Sequence, residues 1–204
     1  MNKHLIVYVK KPQANHSKTR LGAAIGHEQA AGVYARLVFS YLDNLLQSEL
    51  LEDVEITLSV ADKASAAFFK GAFPEMRVVH QIRGGLGARM QASFDDVFAL
   101  GCQKAILTGS DIPFLNAKRV KEAFRKLEKN QIVLGPAEDG GYFLIGMQQP
   151  GWNVFEEIPW STAKVLSKTM ERIEGLGIKN ALLPMGFDVD VAADYHRWLD
   201  ILNQ

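Results

Sequence analysis

The chain has 204 residues, with 23 basic and 23 acidic side chains and a formal net charge of +0. That balance excludes bulk attraction to nucleic acid or to an anionic membrane, so any phosphate recognition has to be local. At 48% hydrophobic and 23% charged residues the composition is that of a globular enzyme, and the length suits one ample core, so a single domain over 1–204 is expected.

The first apolar run, residues 5–9, reads as a buried strand. It is too short for a signal-peptide core, no later run could span a bilayer, and a cytoplasmic protein is expected. Residues 28–47 read as a long helix, because Ala30, Val33, Tyr34, Leu37, Val38, Tyr41, Leu42, Leu45 and Leu46 form one stripe of 3.6-residue period. Residues 54–60 alternate as a strand, and Asp62 is placed to cap a short helix through Lys70. A strand over 76–80, a helix over 87–100 and a strand over 104–108 follow. Cys102, the single cysteine, excludes an internal disulfide or a cysteine-based zinc site and reads as a structural thiol in a reducing compartment. Next come a helix over 117–129, strands over 131–134 and 142–146, a helix over 162–175 opened by Ser161, a strand over 179–184 and a closing helix over 191–203.

This alternation implies an α/β fold of three layers, a mostly parallel sheet with helices on both faces. Strands 131–134 and 142–146 are too close for a crossover helix, so at least one runs antiparallel and the sheet is mixed. In such a sheet ligands bind outside the carboxyl ends of the strands. The unusual residues concentrate in the loops there.

Asp111, in Gly109-Ser110-Asp111-Ile112-Pro113, follows an apolar strand and offers a hard oxygen suited to Mg²⁺ or Mn²⁺ shared with substrate phosphates; the alternative is a turn cap. Asp188 and Asp190 share one side of an extended segment. Asp190 either completes a metal site with Asp111 or caps the closing helix. Lys10, Lys11, Lys18 and Arg20 follow the first strand and suit a diphosphate, although no Walker sequence is present. The run from Gly84 to Met90 fails the dinucleotide fingerprint at Met90. It leaves Gly85, Gly87 and Arg89 as donors to a ligand or as a tight turn. Glu138 and Asp139 stand beside Gly140 and Gly141, either as a general base and acceptor loop or as a tight turn. Trp160 can stack on a sugar or staple a helix start.

In this order, K-x-P…K-T-R-L, G-x-L-G-x-R-M, G-S-D-I-P, P-A-E-D-G-G-Y and D-V-D resemble a bacterial family of GT-A-like glycosyltransferases, the nucleotide-diphospho-sugar transferase type that includes members linked with arsenosugar biosynthesis. The pattern is also distantly similar to the nucleotidyltransferases of molybdopterin and phospholactate metabolism. The resemblance implies a divalent metal on Asp111 and Asp190, a basic phosphate loop at Lys18 and Arg20, and an acceptor loop at Asp139, Gly140 and Gly141. One departure is that the family has a glycine ahead of its K-T-R-L where this chain reads Pro12-Gln13-Ala14-Asn15-His16-Ser17.

The function expected is metal-dependent glycosyl transfer from a nucleotide-diphospho-sugar to a small-molecule acceptor. The alternatives are nucleotidyl transfer from a nucleoside triphosphate to a phosphorylated small molecule, and non-catalytic binding of a sugar nucleotide. No nucleic-acid or membrane partner is expected, and the oligomeric state is not legible.

Overall fold

A computed structural model describes residues 2–202. The chain runs β1 (Lys3–Tyr8), α1 (Thr19–Ile25), α2 (His27–Leu46), β2 (Val54–Val60), α3 (Lys63–Ala72), β3 (Arg77–His80) and α4 (Leu86–Ala99). It continues β4 (Lys104–Thr108), α5 (Ala117–Lys126), β5 (Ile132–Pro136), β6 (Tyr142–Met147), α6 (Val165–Gly175), β7 (Asn180–Leu182) and α7 (Ala192–Leu202). The strands form one sheet in the order β3-β2-β1-β4-β6-β5-β7. Only β6 opposes its neighbours β4 and β5 among the described pairings; the others are parallel. The connection between β5 and β6 is too short for a crossover, which forces the reversal.

Side-chain parity along β1 distributes the core between the two faces. Leu5 and Val7 join the cluster under α2, α3 and α5, with Tyr34, Tyr41, Phe69 and Phe124. Ile6 joins the cluster under α4 and α6, with Met90, Phe94, Leu107, Ile145 and Ile173. A third, smaller cluster gathers Leu21 of α1, Leu37 of α2, Trp198 of α7 and the buried Phe187 and Val189. That cluster holds the segment after β7 against α1 and α2, so the two aspartates flanking Val189 are anchored by apolar packing.

The structure adds an α-helix that the apolar pattern did not reveal, α1, whose buried residues are Leu21 and Gly22, and a short 3-10 turn at Glu49–Leu51. It also starts α6 three residues later than expected. Ser161 has φ 64 and Lys164 sits at the N-cap, so Ser161 does not open the helix. At α7, Asp194 accepts from the backbone N–H of Asp190 and Val191, each at 3.0 Å. The Asp190 carboxylate is therefore not the one that caps α7. Residue 203, the expected end of the closing helix, lies outside the described residues. Among the described residues no helix is long and apolar enough to cross a membrane.

Candidate functional site

At the carboxyl edge of the sheet one ammonium group joins three distant parts of the chain. Lys18 Nζ donates to Asp111 Oδ2 at 2.8 Å and to Asp190 Oδ1 at 2.7 Å. The lysine side chain is 2% exposed, while Asp111 and Asp190 keep 36% and 46% exposure. The cation is thus buried behind two carboxylates that face outward.

The loop after β1 is shaped to deliver this lysine. The Lys10 amide donates to the Tyr34 hydroxyl at 3.1 Å, and the Lys11 amide to Ser65 Oγ at 2.9 Å. Asn15 and Lys18 both adopt left-handed backbone, at φ 64 and φ 50. Asparagine tolerates that region better than most residues, so Asn15 supplies a bend in a loop that has no glycine. Tyr34 also hydrogen-bonds Ser110 Oγ at 3.0 Å, which ties the β1 and β4 exits together beside Asp111. On the far side, Gly186 N–H donates to Pro136 O and Glu138 N–H to Gly186 O. These bonds hook the segment carrying Asp188 and Asp190 onto the end of β5.

Burial works against the charge on Lys18, but the two carboxylates and their hydrogen bonds outweigh it and leave its pKa above the ordinary lysine value. Asp188 is pushed up to about 7, first by burial and then by the like charge of Asp111; Asp139 and Asp190 add to this, while Lys18 opposes it. Two carboxylates therefore share one buried ammonium, and Asp188 lies close enough to them to feel their charge.

Beside this cluster opens a cavity of about 540 Å³. Arg20, Asp139, Asp188 and Asp190 provide its charged lining. Tyr8, Leu86, Met90, Leu107, Tyr142 and Trp160 provide apolar and aromatic surface. Trp160 is braced edge-on by Tyr142 at 6.3 Å between ring centroids. Arg20 has no ion-pair or hydrogen-bond partner among the described residues, so its guanidinium is available to an anion. Burial is also the main influence raising the Tyr142 hydroxyl well above the tyrosine range, so that group stays neutral.

The structure brings Lys18, Arg20, Asp111, Asp139, Asp190, Gly141 and Trp160 to this cavity or to its acidic edge. Six other expected residues are placed elsewhere, four of them as follows. Lys11 lies over the Phe68 ring of α3, 5.9 Å from its centroid. Gly85 and Gly87 form the start of α4; a Cβ on Gly87 would come within 2.9 Å of both Phe155 O and Trp160 Nε1, so its smallness serves close packing. Arg89 donates to Gln81 Oε1 at 3.0 Å and does not line the cavity.

Glu138 and Asp139, the two candidate bases, are placed differently. The Glu138 carboxylate is held by both terminal nitrogens of Arg197, at 2.7 and 3.0 Å, and it does not line the cavity. Arg197 in turn stacks on Phe187 at 3.9 Å, so this ion pair braces α7 against the turn after β5. Gly140 is closely packed. A Cβ there would lie 2.2 Å from Ala163 O, and its own carbonyl accepts from Leu166 N–H at 2.8 Å. It is the point where the β5–β6 turn seats on the loop that carries Trp160. Asp188 joins the charged lining, although the sequence reading ranked Asp190 above it. The alternation in D-V-D was the available signal.

The donor set suits a divalent cation. Asp111 and Asp190 already place hard oxygens on two sides of one positive centre, the Lys18 ammonium. Two carboxylates, with water and phosphate completing the shell, are a usual way to hold Mg²⁺. Asp111 and Asp190 would be the ligands, with Asp188 beside them. Among the described residues no preformed cluster of three or more acidic, histidine or cysteine ligands exists.

A family model described as an uncharacterized protein conserved in bacteria, DUF2064, matches residues 44–162. A crystal structure of a candidate nucleotide-diphospho-sugar transferase from Desulfovibrio desulfuricans G20 is 30% identical, with TM-score 0.89 over 98% of this chain and 86% of that one. A 4-diphosphocytidyl-2C-methyl-D-erythritol synthase from Anaerococcus prevotii is similar in fold at 12% identity, with TM-score 0.63 over 99% and 96% of the two chains. A manganese complex of Rv0371C from Mycobacterium tuberculosis shares the fold at 16% identity, with TM-score 0.51 over 97% of each chain. No curated protein matches the sequence.

Proposed function

The chain belongs to the DUF2064 family, and from that premise we propose that it is a transferase that moves a glycosyl group from a nucleotide-diphospho-sugar to a hydroxyl of a small acceptor, with the whole chain acting as one domain. The observation that carries this reading is the Lys18 ammonium between Asp111 and Asp190, at the mouth of a cavity with an unpartnered Arg20 in its lining. A departing nucleoside diphosphate requires concentrated positive charge in a water-poor place, and Lys18 with Arg20 supplies the protein's share. Mg²⁺ or Mn²⁺ on Asp111 and Asp190 would add Lewis-acid neutralisation of the diphosphate.

Asp139 is the candidate base. It lines the cavity, and its Oδ1 is oriented by a 2.8 Å hydrogen bond from the Gly141 amide. It orients the acceptor hydroxyl and takes its proton as the oxygen bonds to the anomeric carbon and the bond from that carbon to the diphosphate breaks. Trp160 and Tyr142 offer flat surface to the sugar or to the body of the acceptor. The basic pair beside an acidic pair suits attack on an α-phosphate equally well, so nucleotidyl transfer is the second reading. Product analysis separates them: nucleoside diphosphate is released in the first and pyrophosphate in the second.

The test is calorimetric titration of a nucleoside diphosphate panel with and without Mn²⁺. Asp111→Asn is expected to abolish the metal-dependent part of binding while the circular dichroism spectrum stays unchanged. Equal binding by parent and variant overturns the assignment.

A further inference from the structure

The placement of Lys18 has a consequence beyond phosphate binding. The carboxylates that would hold a divalent cation, those of Asp111 and Asp190, are already engaged by Lys18 Nζ, through Oδ2 at 2.8 Å and Oδ1 at 2.7 Å. The ammonium is almost wholly buried, and a metal bound to the oxygens it engages, at about 2 Å, would take its place. The ammonium then moves. A buried charge cannot be left unpaired, so it needs a new anion. The other carboxylates of the cavity wall, Asp139 and Asp188, would themselves be drawn to the metal, whereas a diphosphate brings an anion of its own.

Resting on the proposed function, we propose that Lys18 is a resident placeholder cation: it occupies the metal half-site in the free protein and is exchanged onto the substrate diphosphate when metal and nucleotide bind together. The two carboxylates keep a counter-ion at every stage, first the ammonium and then the divalent cation. The ammonium also keeps one, first the carboxylates and then the phosphate. Metal alone has to expel a buried lysine into a site without a partner, and nucleotide alone meets a lysine already engaged. Each ligand therefore binds weakly by itself and strengthens the other, and by thermodynamic linkage the two enhancements are equal.

The backbone fits this exchange. Lys18 is held in left-handed conformation at the start of α1, in a loop whose Ser17 hydroxyl accepts from the Gln13 amide and donates to Lys11 O. The loop is braced from within, so the side chain can swing while its base stays fixed.

The experiment is titration of Mn²⁺ alone, and then of Mn²⁺ with UDP or CDP present, on the parent, Lys18→Met and Lys18→Arg. In the parent, the nucleotide should tighten Mn²⁺ by roughly tenfold or more, within the usual range of such couplings. Lys18→Met vacates the half-site, so Mn²⁺ alone should bind about tenfold more tightly than to the parent, while enhancement by nucleotide disappears. Lys18→Arg keeps the positive charge in the half-site, so Mn²⁺ alone should bind it no more tightly than it binds the parent. If Lys18→Met is unfolded without metal, Mn²⁺ should restore its fold and raise its melting temperature more than it raises the parent's. A variant whose Mn²⁺ affinity without nucleotide equals or falls below that of the parent overturns the placeholder role, as does a variant that Mn²⁺ cannot refold. Failure of the transferase reading looks different, because the parent would then bind no nucleotide with Mn²⁺ present.

Discussion

Replacing Gly140 with alanine tests whether the β5–β6 turn is a packing joint rather than a flexible acceptor loop. The new Cβ would meet Ala163 O at 2.2 Å and the Ala163 Cα at 2.7 Å. Both are backbone atoms, so no side chain can swing aside. The residue also sits at φ +86, where a side chain adds strain of about 1–2 kcal/mol. Overpacking against backbone adds about 1–3 kcal/mol. Together these amount to a loss of about 2–5 kcal/mol. For a chain of this size that lowers the melting temperature by about 4–20 °C. Because Ala163 adjoins the loop carrying Trp160, the shift should also weaken binding in the cavity. Gly32→Ala is the matched control. It lies in α2 with nothing within 4 Å of its added Cβ, so it should raise stability by about 0.5–1 kcal/mol. Thermal or urea unfolding of both variants decides the matter. A Gly140→Ala chain that melts with the parent refutes the close contact and the reasoning built on it.

Glu138→Gln should leave turnover within about threefold of the parent, because its carboxylate is engaged by Arg197 outside the cavity, whereas Asp139→Asn should lower kcat by about a hundredfold or more if Asp139 takes the acceptor proton. His4 is buried and bonded to Thr57 Oγ1 at 2.8 Å. Burial, aided by Arg77 and opposed by Glu55, depresses its pKa below the ordinary 6.5. The unfolded chain therefore binds the proton more readily, so stability is full above about pH 6.5 and falls as pH drops toward the folded-state pKa. Urea midpoints should show that decline, and His4→Gln should flatten it; a variant as pH-sensitive as the parent in this window removes His4 as the cause. Cys102, pushed up to about 11 by burial and by Glu55, should react with iodoacetamide at pH 8 about a hundredfold more slowly than a free cysteine. Alkylation at the rate of the free amino acid would contradict this.

Local chemistry made much of the architecture legible. The stripe of α2, the alternation of β2, the Asp62 cap, which accepts from Ser65 N–H at 2.8 Å, and the reversal between β5 and β6 all follow from rules that act over a few residues. The carboxyl-edge rule also directed attention to the loops that carry Lys18, Asp111, Asp139 and Asp190. Short elements were harder. α1 buries only Leu21 and Gly22, too few for a periodic signal, and the start of α6 depended on a left-handed Ser161 that no propensity reveals.

What the sequence by itself determined was the layered α/β fold and the inventory of charged and acidic groups at one edge of the sheet. Only the tertiary structure decided how those groups pair. Residues 18, 111 and 190 meet because β1 and β4 are neighbours and because Phe187 and Val189 are buried against α1 and α2. The same packing turned Glu138 toward Arg197 and Gly140 onto Ala163. The physical reason is reach: helix, strand and turn signals come from neighbours in the chain, whereas an ion pair at 2.7 Å between positions 172 residues apart depends on every element that packs between them.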